Sequence, residues 1–242
     1  MLNFLKKEKF EYVIIFSELY KVFLKNDHKV VIKEILKLIK ILIKSNKTII
    51  LPTFNLNFPK TKETGFADKY IMTGYLNRYL IKKLKFKRTT RPMYNYAISG
   101  PNSKKLLSLK QKTAWGEDSI IGFLVKNNCL GMGLNIDKTK FNWLAIHYCE
   151  EKIGVPYRYY KKFSGKNVNL NKNVYEKMYV RDLESGLVEN GKKLNKKLIK
   201  NKKLKAKKII GLDITYVNLK EYSIEAEKFI RKDPYSLVTN EK

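Results

Sequence analysis

The chain is poor in histidine, cysteine and arginine, and each shortage removes a class of chemistry. With only His28 and His147 among 242 residues, a histidine-rich metal site cannot be assembled. Cys129 and Cys149 stand alone, with neither metal-ligand spacing nor a disulfide framework. There is no glycine-rich phosphate loop of the P-loop or dinucleotide type and no Gly-x-Ser-x-Gly elbow. Long apolar runs are missing too. The greasiest segment, Val30 to Ile43, is interrupted by Lys33, Lys37 and Lys40, which makes it an amphipathic helix rather than a membrane span. MLNFLKKEKF lacks the apolar stretch of a signal peptide, so a cytoplasmic chain is expected.

Lysine is what the chain has in excess. The formal net charge is +29, carried by 45 lysines and 6 arginines against 22 acidic residues. Such a field attracts polyanions of every kind: nucleic acid, acidic lipid, acidic proteins, phosphorylated small molecules. Proteins that read nucleic-acid sequence favour arginine, whose planar fork meets guanine and phosphate bidentately. Evenly spread lysine reads first as a solvated surface, with the field an aid to anionic ligands, and nucleic acid is not the expected partner. At 44% hydrophobic and 12% aromatic the composition supports a folded core. One domain over residues 1–242 is expected, with a lysine-rich C-terminal part from about residue 166.

Apolar periodicity places the elements. EYVIIF (11–16) and Thr48 to Leu51 read as buried strands, the second ended by Pro52. Between them Val31, Ile32, Ile35, Leu36, Ile39 and Leu42 recur at helical spacing behind Asp27, a candidate N-cap. A long polar connection leads to a helix over 73–84, a strand over 95–98, and a Ser99-Gly100-Pro101 turn that opens a helix over 104–109. Further on come a helix at 120–125, a strand at 129–134 and a helix at 143–152. Gly131-Met132-Gly133 lacks a third glycine and a helix start, so it is assigned to strand packing. Lys192 to Lys208 holds 10 lysines; strands are expected at 209–212 and 215–217, and a helix at 222–231. Alternating strands and helices argue for α/β layers.

One pair of residues stands out for chemistry. On a helix, His147 and Glu150 are three apart and share a face, so the carboxylate can approach the imidazole. Such a partner fixes the tautomer and leaves the other ring nitrogen to accept a proton near neutral pH. Taken alone, the pair reads first as a packed or surface histidine, and Glu151 reads as surface charge. Arg88-Thr89-Thr90-Arg91-Pro92 puts two guanidinium groups and two hydroxyls in a short loop suited to phosphate or carboxylate, or to a salt bridge at a turn. Thr53 follows a buried strand, where α/β proteins place ligand-binding residues.

In order, VIIFSEL, TIILPTF, RTTRPMYNYAISG, TAWGEDS, LGMGL and HYCEEKIGVPYR resemble the motifs of the aminoglycoside 3-N-acetyltransferase family, which is distinct from the commoner GNAT acetyltransferases. The likeness runs from about residue 11 to 165, with a weaker echo at DPYSLV. It implies a three-layer α/β/α fold around a central mixed sheet and transfer of an acyl group from coenzyme A to an amine on a sugar ring, with no metal. Carried over by residue, it makes His147 the general base and Glu150 its orienting partner. Ser17, Thr53, Arg88 and Thr89 match positions near the bound cofactor, and Tyr157 and Arg158 are candidates for sugar contacts. Arg91 stands where the family usually has histidine, Asn95 where serine is common and Ile120 where proline is frequent.

The charge bears on the acceptor. Aminoglycosides are polycations, and a chain with 22 acidic against 51 basic residues offers them a poor field. An anionic, nucleotide-linked amino sugar of surface-polysaccharide or glycan biosynthesis is the expectation, with acetyl-CoA or another acyl-CoA as donor and an acidic acyl carrier protein as a possible partner. Aminoglycoside resistance is the alternative. A non-enzymatic polyanion binder, favoured by the charge and 16 tyrosines but lacking a nucleic-acid module, is the third.

Overall fold

A computed structural model of the chain describes residues 9–209 and 211–240. Its strands are β1 (Tyr12–Ser17), β2 (Thr48–Pro52), β3 (Glu63–Thr64), β4 (Lys87–Arg88), β5 (Tyr96–Ser99) and β6 (Cys129–Leu134). Then follow β7 (Arg158–Asn167), β8 (Lys172–Arg181), β9 (Leu187–Glu189), β10 (Lys205–Ile209), β11 (Leu212–Asn218) and β12 (Val238–Asn240). The helices are α1 (Tyr20–Phe23), α2 (His28–Lys44), α3 (Phe58–Thr61), α4 (Tyr75–Leu84) and α5 (Ser103–Leu107). Later come α6 (Ile120–Lys126), α7 (Ala145–Ile153), α8 (Lys192–Lys200) and α9 (Leu219–Lys232).

A seven-stranded sheet runs β10-β11-β6-β1-β2-β5-β4. Its centre, β6-β1-β2, is parallel, and the outer pairings are antiparallel, so the sheet is mixed as expected. Strand alternation divides the core. Ile14, Ile50 and Ile98 face one way, toward α6, α7 and α9; Val13, Ile15, Ile49 and Leu51 face the other, toward α2 and α4. The three layers follow directly from that period of two.

The expected cap holds: Asp27 caps α2 by accepting from the Lys29 backbone N–H at 2.7 Å. Ser119, which had not been read as a cap, closes the start of α6 by accepting from the Gly122 N–H. The buried stripe of α2 includes Leu38, with Leu36 only half-buried; the expected stripe had these two reversed. The glycines of β6 are packing glycines: a Cβ at Gly131 would meet the Trp143 ring at 2.6 Å, and one at Gly133 would collide with the Ile136 side chain. No helix among the described residues is long and apolar enough to cross a membrane.

Three readings need correction. The connection after Pro52 is no polar loop, because Phe54, Phe58, Tyr70 and Ile71 bury and α3 and β3 form within it. The ten-residue strands β7 and β8, which pair antiparallel and carry β3 on the edge, were not foreseen. Their lysines and tyrosines are largely exposed, so no clean hydrophobic alternation marks them. The run 209–212 is where β10 ends and β11 begins, with Gly211 at φ +78°; Ile210 and most of MLNFLKKEKF lie outside the described residues.

Gly131→Ala is expected to destabilise the protein by about 1–3 kcal/mol, since the indole and the Leu219 side chain leave the methyl no room. The urea midpoint measures it, and an unchanged midpoint would remove the packing role.

Candidate active site

The site grows from a helix end. α7 stops at Gly154, which takes φ +78° and donates its N–H to the Glu150 carbonyl at 2.9 Å. That left-handed turn reverses the chain, so Tyr157 and Arg158 come back over the helix they have just left. Tyr157 Oη donates to Glu150 Oε1 at 2.8 Å. Arg158 reaches Glu150 Oε2 at 3.0 Å and Glu189 Oε1 at 2.6 Å from one guanidinium nitrogen, and the Tyr179 carbonyl at 3.1 Å from the other. His147 Nδ1 lies 2.9 Å from Glu150 Oε2.

Nδ1 faces two groups: the ionised Glu150 carboxylate, which can only accept, and a guanidinium hydrogen of Arg158, 3.2 Å away on the nitrogen that also donates to Glu189. With Nδ1 donating to Glu150, Nε2 keeps its lone pair. Glu150 is fully buried. Burial pushes its carboxyl up, but the His147 hydrogen bond, the His147 and Arg158 charges and the Tyr157 hydroxyl bring it net below the usual carboxylate range. Burial, followed by the Glu150 charge and hydrogen bond, pushes the Tyr157 phenol well up, which keeps it a donor.

Tyr157 and Arg158, expected as sugar contacts, are both buried, with their polar ends on Glu150, Glu189 and the Tyr179 carbonyl. The reading of Glu151 as surface charge is corrected. It is half-buried, accepts from Thr113 Oγ1 at 2.6 Å, and burial raises its carboxyl above the ordinary value.

A second cluster gathers at the carboxyl end of β2. Asn95 Oδ1 accepts from the Thr53 hydroxyl and from Arg88 Nε at 3.2 Å and a terminal guanidinium nitrogen at 2.6 Å. Arg88 also donates to the Gly65 carbonyl at 3.2 Å. Burial pushes its guanidinium down to about 10, against a smaller opposing effect of Asp68, and it stays charged at neutral pH. Thr89 Oγ1 accepts from the Tyr96 N–H at 2.9 Å, and Ser17 ends β1 opposite Leu134. Thr53 and Arg88 are brought together; the Thr89 hydroxyl is taken by backbone. A row of rings links this cluster to the first: Phe54–Tyr94 at 4.7 Å, Tyr94–Trp115 at 4.4 Å and Trp115–His147 at 5.1 Å.

Trp115, Glu189 and the hub role of Asn95 were missed. Trp115 lies inside TAWGEDS and was within reach of motif reading, whereas Glu189 sits 31 residues beyond Arg158 with no local signal. Arg91 makes a buried ion pair with Glu176, whose other oxygen accepts from the Met93 N–H at 3.1 Å. The arginine is bound to β8 and is no equivalent of a free imidazole.

The match to known proteins can now be set beside this geometry. The family model for aminoglycoside 3-N-acetyltransferase matches residues 35–231. The chain belongs to that family. It is therefore an acetyltransferase of the aminoglycoside 3-N-acetyltransferase kind. A search of curated sequences returns no match. Among solved structures it is similar to the apoenzyme of AAC(3)-IVa, with TM-score 0.73, 13% identity and coverage of 98% of this chain and 87% of that one. YokD from Bacillus subtilis gives 0.71 and 15%, covering 96% and 91%. AAC-VIa bound to sisomicin gives 0.71 and 12%, covering 96% and 94%. At these identities the structural likeness speaks for the fold, and the three-layer expectation holds.

Two outcomes test the clusters. Arg91→Ala should cost about 3–5 kcal/mol, because Glu176 would be left as a buried, unpaired carboxylate. Glu150 has a depressed native pKa, so its stabilisation is present above the unfolded value of about 4.3 and is lost as pH falls through the native one. The stability gap between wild type and Glu150→Gln should therefore be widest near neutrality and narrow on acidification. A gap independent of pH in denaturant melts would contradict the assignment.

Proposed function

We propose that the protein transfers an acetyl group from acetyl-CoA to an amine of an amino sugar, with His147 as general base. The observation that supports this reading is the His147–Glu150 hydrogen bond: with Nδ1 donating to the carboxylate, Nε2 is free to accept a proton. An ammonium cannot attack a thioester, so a base must take a proton from nitrogen. As the C–N bond forms, Nε2 accepts that proton; as the C–S bond breaks, the departing sulfur is neutralised by a proton returned through the imidazole or from water. Glu150, held by Tyr157 and Arg158, orients the ring and offsets its positive charge while it is protonated. Tyr157 and Arg158 act as positioning residues.

For the donor, Thr53 and Arg88 at the carboxyl end of β2 are the proposed cofactor contacts, with Ser17 at the end of β1 and Thr89 beside them. The carboxyl ends of parallel strands are where open α/β sheets bind ligands. Family membership supports acetyl-CoA rather than a carrier-protein thioester. The acceptor of first choice is an aminoglycoside-type amino sugar; AAC-VIa, similar in fold, has been solved with sisomicin bound. The +29 charge favours a second reading, an anionic nucleotide-linked amino sugar.

Purified protein with acetyl-CoA should release CoA thiol when offered a panel of aminoglycosides and nucleotide-linked amino sugars. Turnover confined to one arm chooses the acceptor, and none in either would overturn the activity. His147→Ala should lower kcat by about 10²–10⁴-fold while the fold is kept, and Glu150→Gln should lower it less. Undiminished kcat in His147→Ala would discard the base.

A further inference from the structure

Glu189 has no part in the proton transfer described above, yet the fold fixes it firmly. Its carbonyl accepts from Asn142 Nδ2 at 3.3 Å, and Oδ1 of the same amide accepts from the Gly191 N–H at 2.9 Å. Asn142 lies just before α7, so this clamp sets the end of β9 against the start of the helix that carries His147. On its other side β9 pairs with β12, and the Asn190 N–H donates to the Leu237 carbonyl at 2.7 Å. From that anchored strand the half-buried Glu189 carboxylate meets the buried Arg158 guanidinium at 2.6 Å.

The Arg158 nitrogen held there also lies 3.0 Å from Glu150 Oε2 and 3.2 Å from His147 Nδ1, and it carries two hydrogens. A hydrogen given to Nδ1 requires that nitrogen to be bare, with the ring hydrogen on Nε2. A ring in that tautomer has no lone pair on Nε2 and cannot act there as a base. Glu189 bears on the choice in two ways. By geometry, it takes one of the two hydrogens, so that a single one faces Glu150 and Nδ1 together, and the ionised carboxylate is the stronger acceptor of the two. By charge, Glu150, Arg158 and Glu189 carry a net −1, which an imidazolium at His147 brings to zero. Without Glu189 the same proton would leave a net positive charge in a largely buried group. Arg181, its Nε 3.9 Å from the same Glu189 oxygen, pairs loosely beside the Arg158 contact.

We infer that Glu189 is a positioning residue for the general base: by holding Arg158 it keeps the ring hydrogen of His147 on Nδ1 and leaves Nε2 free to take the proton of the attacking amine. The inference rests on the reading of His147 as base. The effect of Glu189 passes through Arg158, so it depends on the guanidinium being present. Removing the carboxylate alone frees Arg158 to compete for Nδ1; removing both leaves Nδ1 with Glu150.

The chain has only two histidines, so nitrogen NMR of protein carrying isotope-labelled histidine reads the His147 tautomer once His28→Gln has identified the other ring. In the neutral ring, wild type should hold its hydrogen on Nδ1. Glu189→Gln should shift it toward Nε2 and lower kcat by roughly 10–100-fold, part of what a general base contributes, with KM changed by less than about threefold. Arg158→Gln combined with Glu189→Gln should return the hydrogen to Nδ1 and give a kcat above that of Glu189→Gln alone. A carboxylate that only braces β9 would give no such recovery. The double variant removes both charges of the pair, so it decides the matter even if Glu189→Gln does not fold. An unchanged tautomer in Glu189→Gln, or a hydrogen on Nε2 in the double variant, would overturn the inference. A hydrogen on Nε2 in wild type would instead strike the reading of His147 as base, and this inference with it.

Discussion

A carboxylate with no exposed surface is the constraint around which the rest of the site is arranged. Glu150 is ionised inside the protein, and a buried charge is tolerated only when donors surround it. Three residues supply them: His147 from the same helix, and Tyr157 and Arg158 from the chain that doubles back past Gly154. Satisfying Glu150 therefore fixes the imidazole, closes the end of α7 and, through Arg158 and Glu189, ties β9 to the start of β7. The requirement is electrostatic; the proposed catalytic geometry is its by-product.

The sheet supplies the frame for that constraint. Period-two alternation gives it two apolar faces, and Gly131 of β6 lets Trp143 come close on the α7 side. The buried Arg91–Glu176 pair joins the loop after β4 to β8, so the hairpin expected from no sequence signal is held to the rest of the chain by charge. The row of rings from Phe54 to Trp115 connects the end of β2 with His147. Two clusters distant in sequence are thereby joined through packed rings.

The lysine excess called for restraint in interpretation. Near Glu225, Lys197 and Lys228 sit at 3.0 and 2.9 Å and hold its carboxyl below the ordinary range, an ordinary structural use of basic residues. A uniform field says little about the acceptor, because a local arrangement can oppose it at close range. Family membership and fold are firmer guides than net charge here.

Sequence alone determined what local rules govern: β1, β2, β6, α2, α6, α7 and α9, the Asp27 cap, and the HxxE spacing that puts His147 and Glu150 on one helical face. Those features depend on neighbours within a few residues, and the ordered motifs extended them to a family. Tertiary structure alone decided where Tyr157 and Arg158 point, that Arg91 belongs to Glu176, that Glu151 is half-buried, and that Asn95 gathers Thr53 and Arg88. It also revealed the β7–β8 hairpin and Glu189. The physical reason is common to all of them. A buried charge or an unsatisfied donor takes whatever partner the packed chain brings within reach, and that partner can be 31 or 85 residues away, beyond any pattern a local reading can follow.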